Sequence, residues 1–383
     1  MKRTVCYVLL ICLLLGVVPW PARAVNMDLP VKSAILMDVA TGTILYEQNA
    51  HEALAPASVT KVMTMLLIME AIDSGTIGWN DTVTTSESAA AKGGSQVYLK
   101  VGESMTVSDM VKAIAVSSAN DCACAMAEHL AGSETAFVEK MNQRAKELGM
   151  NDTHFVNCTG LDDDAAAADH KTSAHDIGVM SRELLKNHPD IKKYTTIWMD
   201  TLRNGTFGLS NTNKMVRFYP GATGLKTGFT SKAGYCLSAS AQRDGMELVA
   251  VVMGAKTSAE RFSACKSLLD YGFSTYGVVT PQVEELSVPV TLGTEDRVTA
   301  VPAQDPTLLI EKAQKNMVTT EITLEEGVKA PVSRGQKLGM LTVKAGEYVL
   351  KQIPLVAQDG VSRLSFGQIW GQVIRALTMS AKK

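Results

Sequence analysis

The apolar and polar positions of the chain fall into stretches of different period. Between Ser33 and Gln48, SAILMDVATGTILYEQ predicts two strands joined by a turn at Thr41-Gly42. From about Ser58 to Met141 the pattern becomes helical, and from Ala55 to Ala71, APASVTKVMTMLLIMEA, nearly every position is apolar. A helix hydrophobic on all sides is a buried one. A second largely apolar helical stretch, VKAIAVSSANDCACAMAEHL, is interrupted by Ser117, Ser118, Asn120 and Asp121, a polar knot that demands hydrogen-bond partners. Strand character returns from about Gly221 to Gly254. After LLDYGFSTYGVV, residues 283–362 form short alternating segments such as VEELSVPVTL and TTEITLEE, separated by Gly, Pro and Asp turns, and predict a small all-β domain.

The two ends differ from the rest. Lys2 and Arg3 precede an apolar run from Val5 to Val18, and Ala22 and Ala24 form an A-x-A site before Val25, which predicts a secretory signal peptide over residues 1–24. The run is short for a bilayer-spanning helix. In the tail, Phe366, Ile369, Trp370, Val373, Ile374 and Leu377 recur at helical spacing, with Gln368, Gln372 and Arg375 opposite and no acid after Asp359. This predicts an amphipathic helix lying in a membrane interface. The alternative is a helix packed on the neighbouring β domain.

Composition narrows the classes. The 383 residues carry a net charge of −2, and cleavage after Ala24 removes Lys2, Arg3 and Arg23 and no acid, so nothing suggests a nucleic-acid partner. Two domains are the natural expectation for this length. Five cysteines remain beyond the signal, Cys122, Cys124, Cys158, Cys236 and Cys265, with no C-x-x-C. They read as small buried residues, not a zinc site or a disulfide framework.

Candidate chemistry starts with Ser58 and Lys61, two polar groups at the head of the all-apolar helix. Burying an ammonium is unfavourable unless something uses or solvates it. An i, i+3 spacing brings the two side chains together, although a capping serine and a lysine reaching solvent would give the same four residues. Two further patterns decide between these readings. Ser118-Ala119-Asn120 forms S-x-N, and Lys226-Thr227-Gly228 forms K-T-G ahead of the alternating strand GYCLSASA. S-x-x-K, S-x-N and K-T-G, in that order, are the signature of serine β-lactamases and penicillin-binding proteins.

The chain resembles the low-molecular-mass penicillin-binding proteins that act as D-alanyl-D-alanine carboxypeptidases. The likeness extends to the opening hairpin, to THFVNCTGLDDD and HKTSAHDIGVMSREL, to GLKTGFTSKAGYC, to LLDYGF and to the β-rich end. Ala119, where the family often has Gly, and Phe229, where some members have His, depart from it. The resemblance implies an α+β fold: a D,D-peptidase-like catalytic domain with an antiparallel sheet and a helical cluster (25–276), a small all-β domain (277–362) and an amphipathic helix (363–383). It implies an exported enzyme on the outer face of the cytoplasmic membrane that trims peptidoglycan stem peptides ending in D-Ala-D-Ala and is acylated by β-lactams. No metal and no cofactor are implied.

Roles follow from the chemistry of the residue types. A serine hydroxyl is a poor nucleophile until a base takes its proton. Lys61 can be that base only when neutral, and a second cation, Lys226, together with partial desolvation would lower its pKa. Ser118 can relay the proton to the leaving amine, and Asn120 can hold both Lys61 and the substrate amide. The backbone N–H of Ser58 and, by resemblance, that of Phe229 would stabilise the oxyanion. Lys226, Thr227 and, carried over from the family, Arg261 would receive the substrate carboxylate, and Gly228 and Phe229 would belong to the same substrate-binding strand. Arg261 reads equally as a surface helix cation.

Rival classes lack their own residues. A Ser-His-Asp hydrolase is not supported, because His51, His129, His154, His170, His175 and His188 lie in no G-x-S-x-G context, and His170 and His175 fit turn and cap roles. A β-lactamase needs a carboxylate base for deacylation, and no glutamate occurs between Glu147 and Glu183. A non-catalytic β-lactam sensor would not need the intact set of Ser58, Lys61, Ser118, Asn120 and Lys226.

Overall fold

The computed structural model describes residues 27–162, 165–371 and 374. The expected signal peptide, Asp163, Asp164 and most of the expected tail helix lie outside them. The described chain divides into two compact units, one ending at Ser274 and the other beginning at Thr275. No helix among the described residues is long and apolar enough to cross a membrane.

The first unit is built on a five-stranded antiparallel sheet. Strands β1 (Ser33–Asp38) and β2 (Ile44–Gln48) form the opening hairpin. Asp38 accepts from Thr41 N at 2.8 Å, and Gly42, at φ +78°, closes the turn. Helices α1 (Lys61–Asp73), α2 (Val107–Ser117), α3 (Asn120–Ala131), α4 (Glu134–Glu147) and α5 (Ala174–Asn187) follow. The chain then returns as β3 (Ala222–Thr230), β4 (Gly234–Arg243) and β5 (Met246–Ala255), and closes with α6 (Ser258–Thr275). The strand order is β2-β1-β5-β4-β3. Strand β1 is buried at every position because α5 packs on it between two neighbouring strands, so its run is continuous, not alternating.

Helix α1 occupies the core, as its pattern requires. Val62, Met63, Met65, Leu66, Ile68 and Met69 are fully buried, each contributing about 1.5–3 kcal/mol. The five cysteines carry free, buried thiols scattered through this unit.

The second unit is all-β. A six-stranded sheet runs β8-β10-β11-β7-β6-β9, with β6 (Leu286–Thr291), β7 (Arg297–Pro302), β8 (Val318–Leu324), β9 (Val328–Lys329), β10 (Lys337–Ala345) and β11 (Tyr348–Ala357). Val288, Leu338, Leu341, Val343, Ile353 and Leu355 form its core. Residues 366–371 are helical, with Phe366 76% and Trp370 52% exposed.

Candidate active site

Ser58 stands in a single 3-10 turn, Ala57–Thr60, ahead of α1, where the sequence pattern predicts α-helix from Ser58 onwards. A 3-10 turn eclipses residues i and i+3. That geometry brings Lys61 Nζ to 3.0 Å from Ser58 Oγ, to which it donates. The turn is held from below: Thr60 Oγ1 donates to Ala57 O at 2.8 Å and lies 2.8 Å from His170 Nε2. Val156 N donates to His170 Nδ1 at 3.0 Å, so Nε2 carries the ring proton and donates to Thr60. Burial lowers the His170 pKa to about 4 and keeps the ring neutral. His170, read from sequence as a turn or cap residue, is therefore a prop beneath the nucleophile turn.

Lys61 is wholly buried. Its second partner is a backbone atom, Thr159 O, at 2.8 Å. The loop that supplies this carbonyl is shaped by Asn157, whose Oδ1 accepts from Thr159 N at 3.1 Å and Gly160 N at 2.7 Å. Gly160, at φ +81°, lies so close to the nucleophile turn that a Cβ would fall 1.8 Å from Ala57 O. Burial lowers the Lys61 pKa to about 7, while Cys158 and Asp121 act the other way. Desolvation is the leading cause at Lys61, and at Lys226 burial comes first, followed by Lys61 and Arg261; the repulsion between the two lysines is mutual and disfavours the charged form of each.

Ser118 and Asn120 sit where α2 meets α3. Ser118 closes α2 in a left-handed conformation, φ 63° and ψ 30°, and its buried Oγ has no hydrogen-bond partner. Asn120 donates through Nδ2 to Gly93 O at 2.8 Å, and its buried Oδ1 is unpartnered. Asn120 does not bond Lys61; the ammonium bonds Ser58 and Thr159 instead. Ser118 Oγ, a donor and acceptor, and Asn120 Oδ1, an acceptor, are thus buried polar atoms with no partner among the described residues, which calls for an explanation.

The opposite wall is β3, the sheet's edge strand. Lys226 is buried, with Nζ donating to Thr227 O at 3.0 Å, and Thr227 Oγ1 donates to Thr212 Oγ1 at 2.7 Å. Gly228 passes against the nucleophile turn: a Cβ there would meet Pro56 O at 2.7 Å and Val59 N at 3.0 Å. Phe229 is 54% exposed, its ring 4.3 Å from that of Tyr235. Arg261, read from sequence as a carboxylate ligand or a surface cation, is 7% exposed. Its Nη1 donates to Gly228 O at 3.1 Å and Cys236 O at 3.2 Å. It supports the strand from behind and adds positive potential.

Of the predicted residues, the structure brings Ser58 and Lys61 into direct contact and sets Gly228 against the same turn. Thr159, Gly160 and Thr212 join the site without having been singled out, and His170, read as a turn or cap residue, joins it as a support. Among the described residues, one cluster has metal-like composition, Glu70, Glu183 and His188. Arg144 already bridges its two carboxylates, at 2.7 and 2.8 Å.

A family model described as D-alanyl-D-alanine carboxypeptidase matches residues 21–257. The chain belongs to this family. A second model, described as the C-terminal domain of penicillin-binding protein 5, matches residues 273–363. Within the carboxypeptidase family, DacF of Bacillus subtilis is 44% identical over 342 residues, covering 88% of this chain and 87% of the relative. DacA of Escherichia coli is 33% identical over 360 residues, covering 90% and 86%. Penicillin-binding protein 5 of Haemophilus influenzae superposes with a TM-score of 0.75 at 28% identity, covering 88% of this chain and 99% of that one. Penicillin-binding protein D2 of Listeria monocytogenes, solved in an ampicillin-bound form, gives 0.59 at 32% identity, covering 65% and 100%.

Proposed function

We propose that the protein removes the terminal D-alanine from peptidoglycan stem peptides through an acyl-enzyme on Ser58. The observation that carries this reading is the buried Lys61 ammonium, 3.0 Å from Ser58 Oγ, with its pKa brought down to about 7. Near neutral pH a large fraction of Lys61 is then a free amine, matched to the task of a general base.

The steps balance. Ser58 Oγ attacks the carbonyl carbon of the scissile D-Ala–D-Ala amide while its proton passes to Lys61 Nζ. Collapse of the tetrahedral intermediate breaks the C–N bond, and the proton moves from Lys61 through Ser118 Oγ to the departing D-alanine amine. Water then attacks the ester, Lys61 takes its proton, and Ser58 recovers the hydroxyl as the ester C–O bond breaks. Lys226 and Thr227, with the positive potential of Arg261 behind them, receive the terminal carboxylate, and that carboxylate favours the charged form of Lys226. The outer edge of β3 offers backbone groups to an extended peptide, and Asn120 takes the amide on the other side. Ser58 N and Phe229 N serve the oxyanion.

Penicillins enter the same route, and the penicilloyl ester persists because the opened ring stays tethered beside it. Export through the N-terminal segment and attachment by the tail helix to the outer face of the cytoplasmic membrane belong to the same reading. The exposed Phe366 and Trp370 support the attachment. The test is release of D-alanine from diacetyl-L-Lys-D-Ala-D-Ala. Release by the wild type and none by Ser58→Ala is expected; undiminished release by the variant overturns the assignment.

A further inference from the structure

Tyr98 stands apart from its surroundings. It is 69% exposed, and its backbone is left-handed at φ 58°, a conformation that bulky side chains rarely adopt. Nearby positions with similar φ, Gly94 at 73° and Gly102 at 78°, are glycine. The loop holding Tyr98 is fastened before it to Asn120 of the proposed site and on either side of it to the neighbouring Asp121. Ser95 O accepts from Asn120 N at 2.7 Å, and Gly93 O accepts from Asn120 Nδ2 at 2.8 Å. The buried Asp121 carboxylate, next along α3, accepts from Val97 N at 3.1 Å and Leu99 N at 3.0 Å. Arg203 donates to Val97 O at 2.9 Å and Tyr98 O at 3.3 Å, while its guanidinium lies 5.2 Å from the Phe207 ring centre. The Tyr98 ring meets that of Phe207 edge-on at 6.5 Å.

The backbone on either side of Tyr98 is thus hydrogen-bonded to Asn120, Asp121 and Arg203, while its ring, on the loop that Asn120 holds, is largely in solvent. A ring held rigidly in this way loses little freedom on contacting a ligand. We infer that Tyr98, backed by Phe207, forms a binding surface for the residue preceding D-Ala-D-Ala in the stem peptide. The inference rests on the function proposed above: Asn120 takes the amide on the N-terminal side of the penultimate D-alanine, and the preceding residue then emerges beside loop 93–99. The ring contacts the aliphatic part of that residue and sets preference among stem peptides without taking part in bond breaking.

The test compares two substrates on the full-length protein, N-acetyl-D-Ala-D-Ala, which lacks the preceding residue, and diacetyl-L-Lys-D-Ala-D-Ala, which has it. Tyr98→Gly removes the ring and suits the left-handed backbone, so the loop stays folded; Tyr98→Phe keeps the ring. For the longer substrate, Tyr98→Gly is expected to raise KM about three- to tenfold with kcat little changed, the range of an aromatic contact. Tyr98→Phe should stay near wild type, and the shorter substrate should show no shift. An equal loss on both substrates, or a fall in kcat alone, would overturn the inference in favour of a structural role through Asn120. An unchanged KM for the longer substrate would overturn it too. If the wild type released D-alanine from neither peptide, the proposed function would fall and this inference with it, an outcome distinct from the others.

Discussion

Lys61 Nζ donates to Thr159 O at 2.8 Å, joining positions 98 residues apart in the chain. The carbonyl holds the amine beside Ser58 and is a neutral acceptor, so it steadies Lys61 without the strong pull of a carboxylate on its proton. Burial then decides the charge state.

From this follows a pH dependence. The catalytic form of Lys61 is the free amine, so the acylation rate should rise with pH and level off above about 7. Lys61→Ala should lower acylation by at least about 10²-fold, the lower range for losing a general base. Stopped-flow acylation with a fluorescent penicillin between pH 5.5 and 8.5 reads both. A wild-type rate that falls across this range would assign the base elsewhere.

Gly160→Ala tests the contact between the Thr159 loop and the nucleophile turn. The left-handed φ of +81° alone disfavours alanine by about 1 kcal/mol, and the methyl would fall 1.8 Å from Ala57 O. The loop and turn must part, and a misplacement of this kind lowers turnover by roughly 10²-fold. Circular dichroism should show the fold retained while D-alanine release collapses.

His170 predicts an acid sensitivity with a defined sign. Its folded pKa of about 4 lies below the usual histidine value of 6.5, so between these values the unfolded chain binds more protons. The stability due to the neutral ring is fully present above pH 6.5 and is lost as pH falls towards 4, at up to about 1.4 kcal/mol per pH unit. Urea unfolding of wild type and His170→Gln at pH 7 and pH 5 should show the smaller pH effect in the variant. Equal pH effects in the two would contradict the buried neutral assignment.

The tail gives an independent prediction. Deleting residues 365–383 should move the protein from the membrane fraction to the soluble one and leave turnover of a small peptide unchanged. Each buried methylene contributes about 0.8 kcal/mol, so a stripe of large apolar side chains suffices for interfacial attachment. Loss of the cooperative thermal transition after deletion would favour packing on the β domain.

What was legible in the sequence was whatever local spacing encodes. Ser58 and Lys61 stand at i, i+3, the opening hairpin turns at Gly42, and the small β domain follows an alternating pattern. The polar knot at Ser118–Asp121 announced unmet hydrogen bonds, and the structure resolves it in two parts: Asp121 clamps Val97 and Leu99, while Ser118 Oγ and Asn120 Oδ1 have no partner among the described residues. Thr159 contributes a backbone oxygen, which no side-chain identity announces. His170 reaches Thr60 across 110 residues, and pairing at that separation leaves no periodic mark. Arg261 was ambiguous for a similar reason, since a helix cation says nothing of the strand carbonyls it meets after folding.

The most direct measurement is peptide mapping by mass spectrometry after exposure to benzylpenicillin. The account predicts a ring-opened penicilloyl adduct, carrying the full mass of benzylpenicillin, on the peptide containing Ser58, persisting for many times the peptide turnover time and absent from Ser58→Ala. An adduct on another residue, or rapid return of unmodified protein with accumulating penicilloic acid, would contradict it.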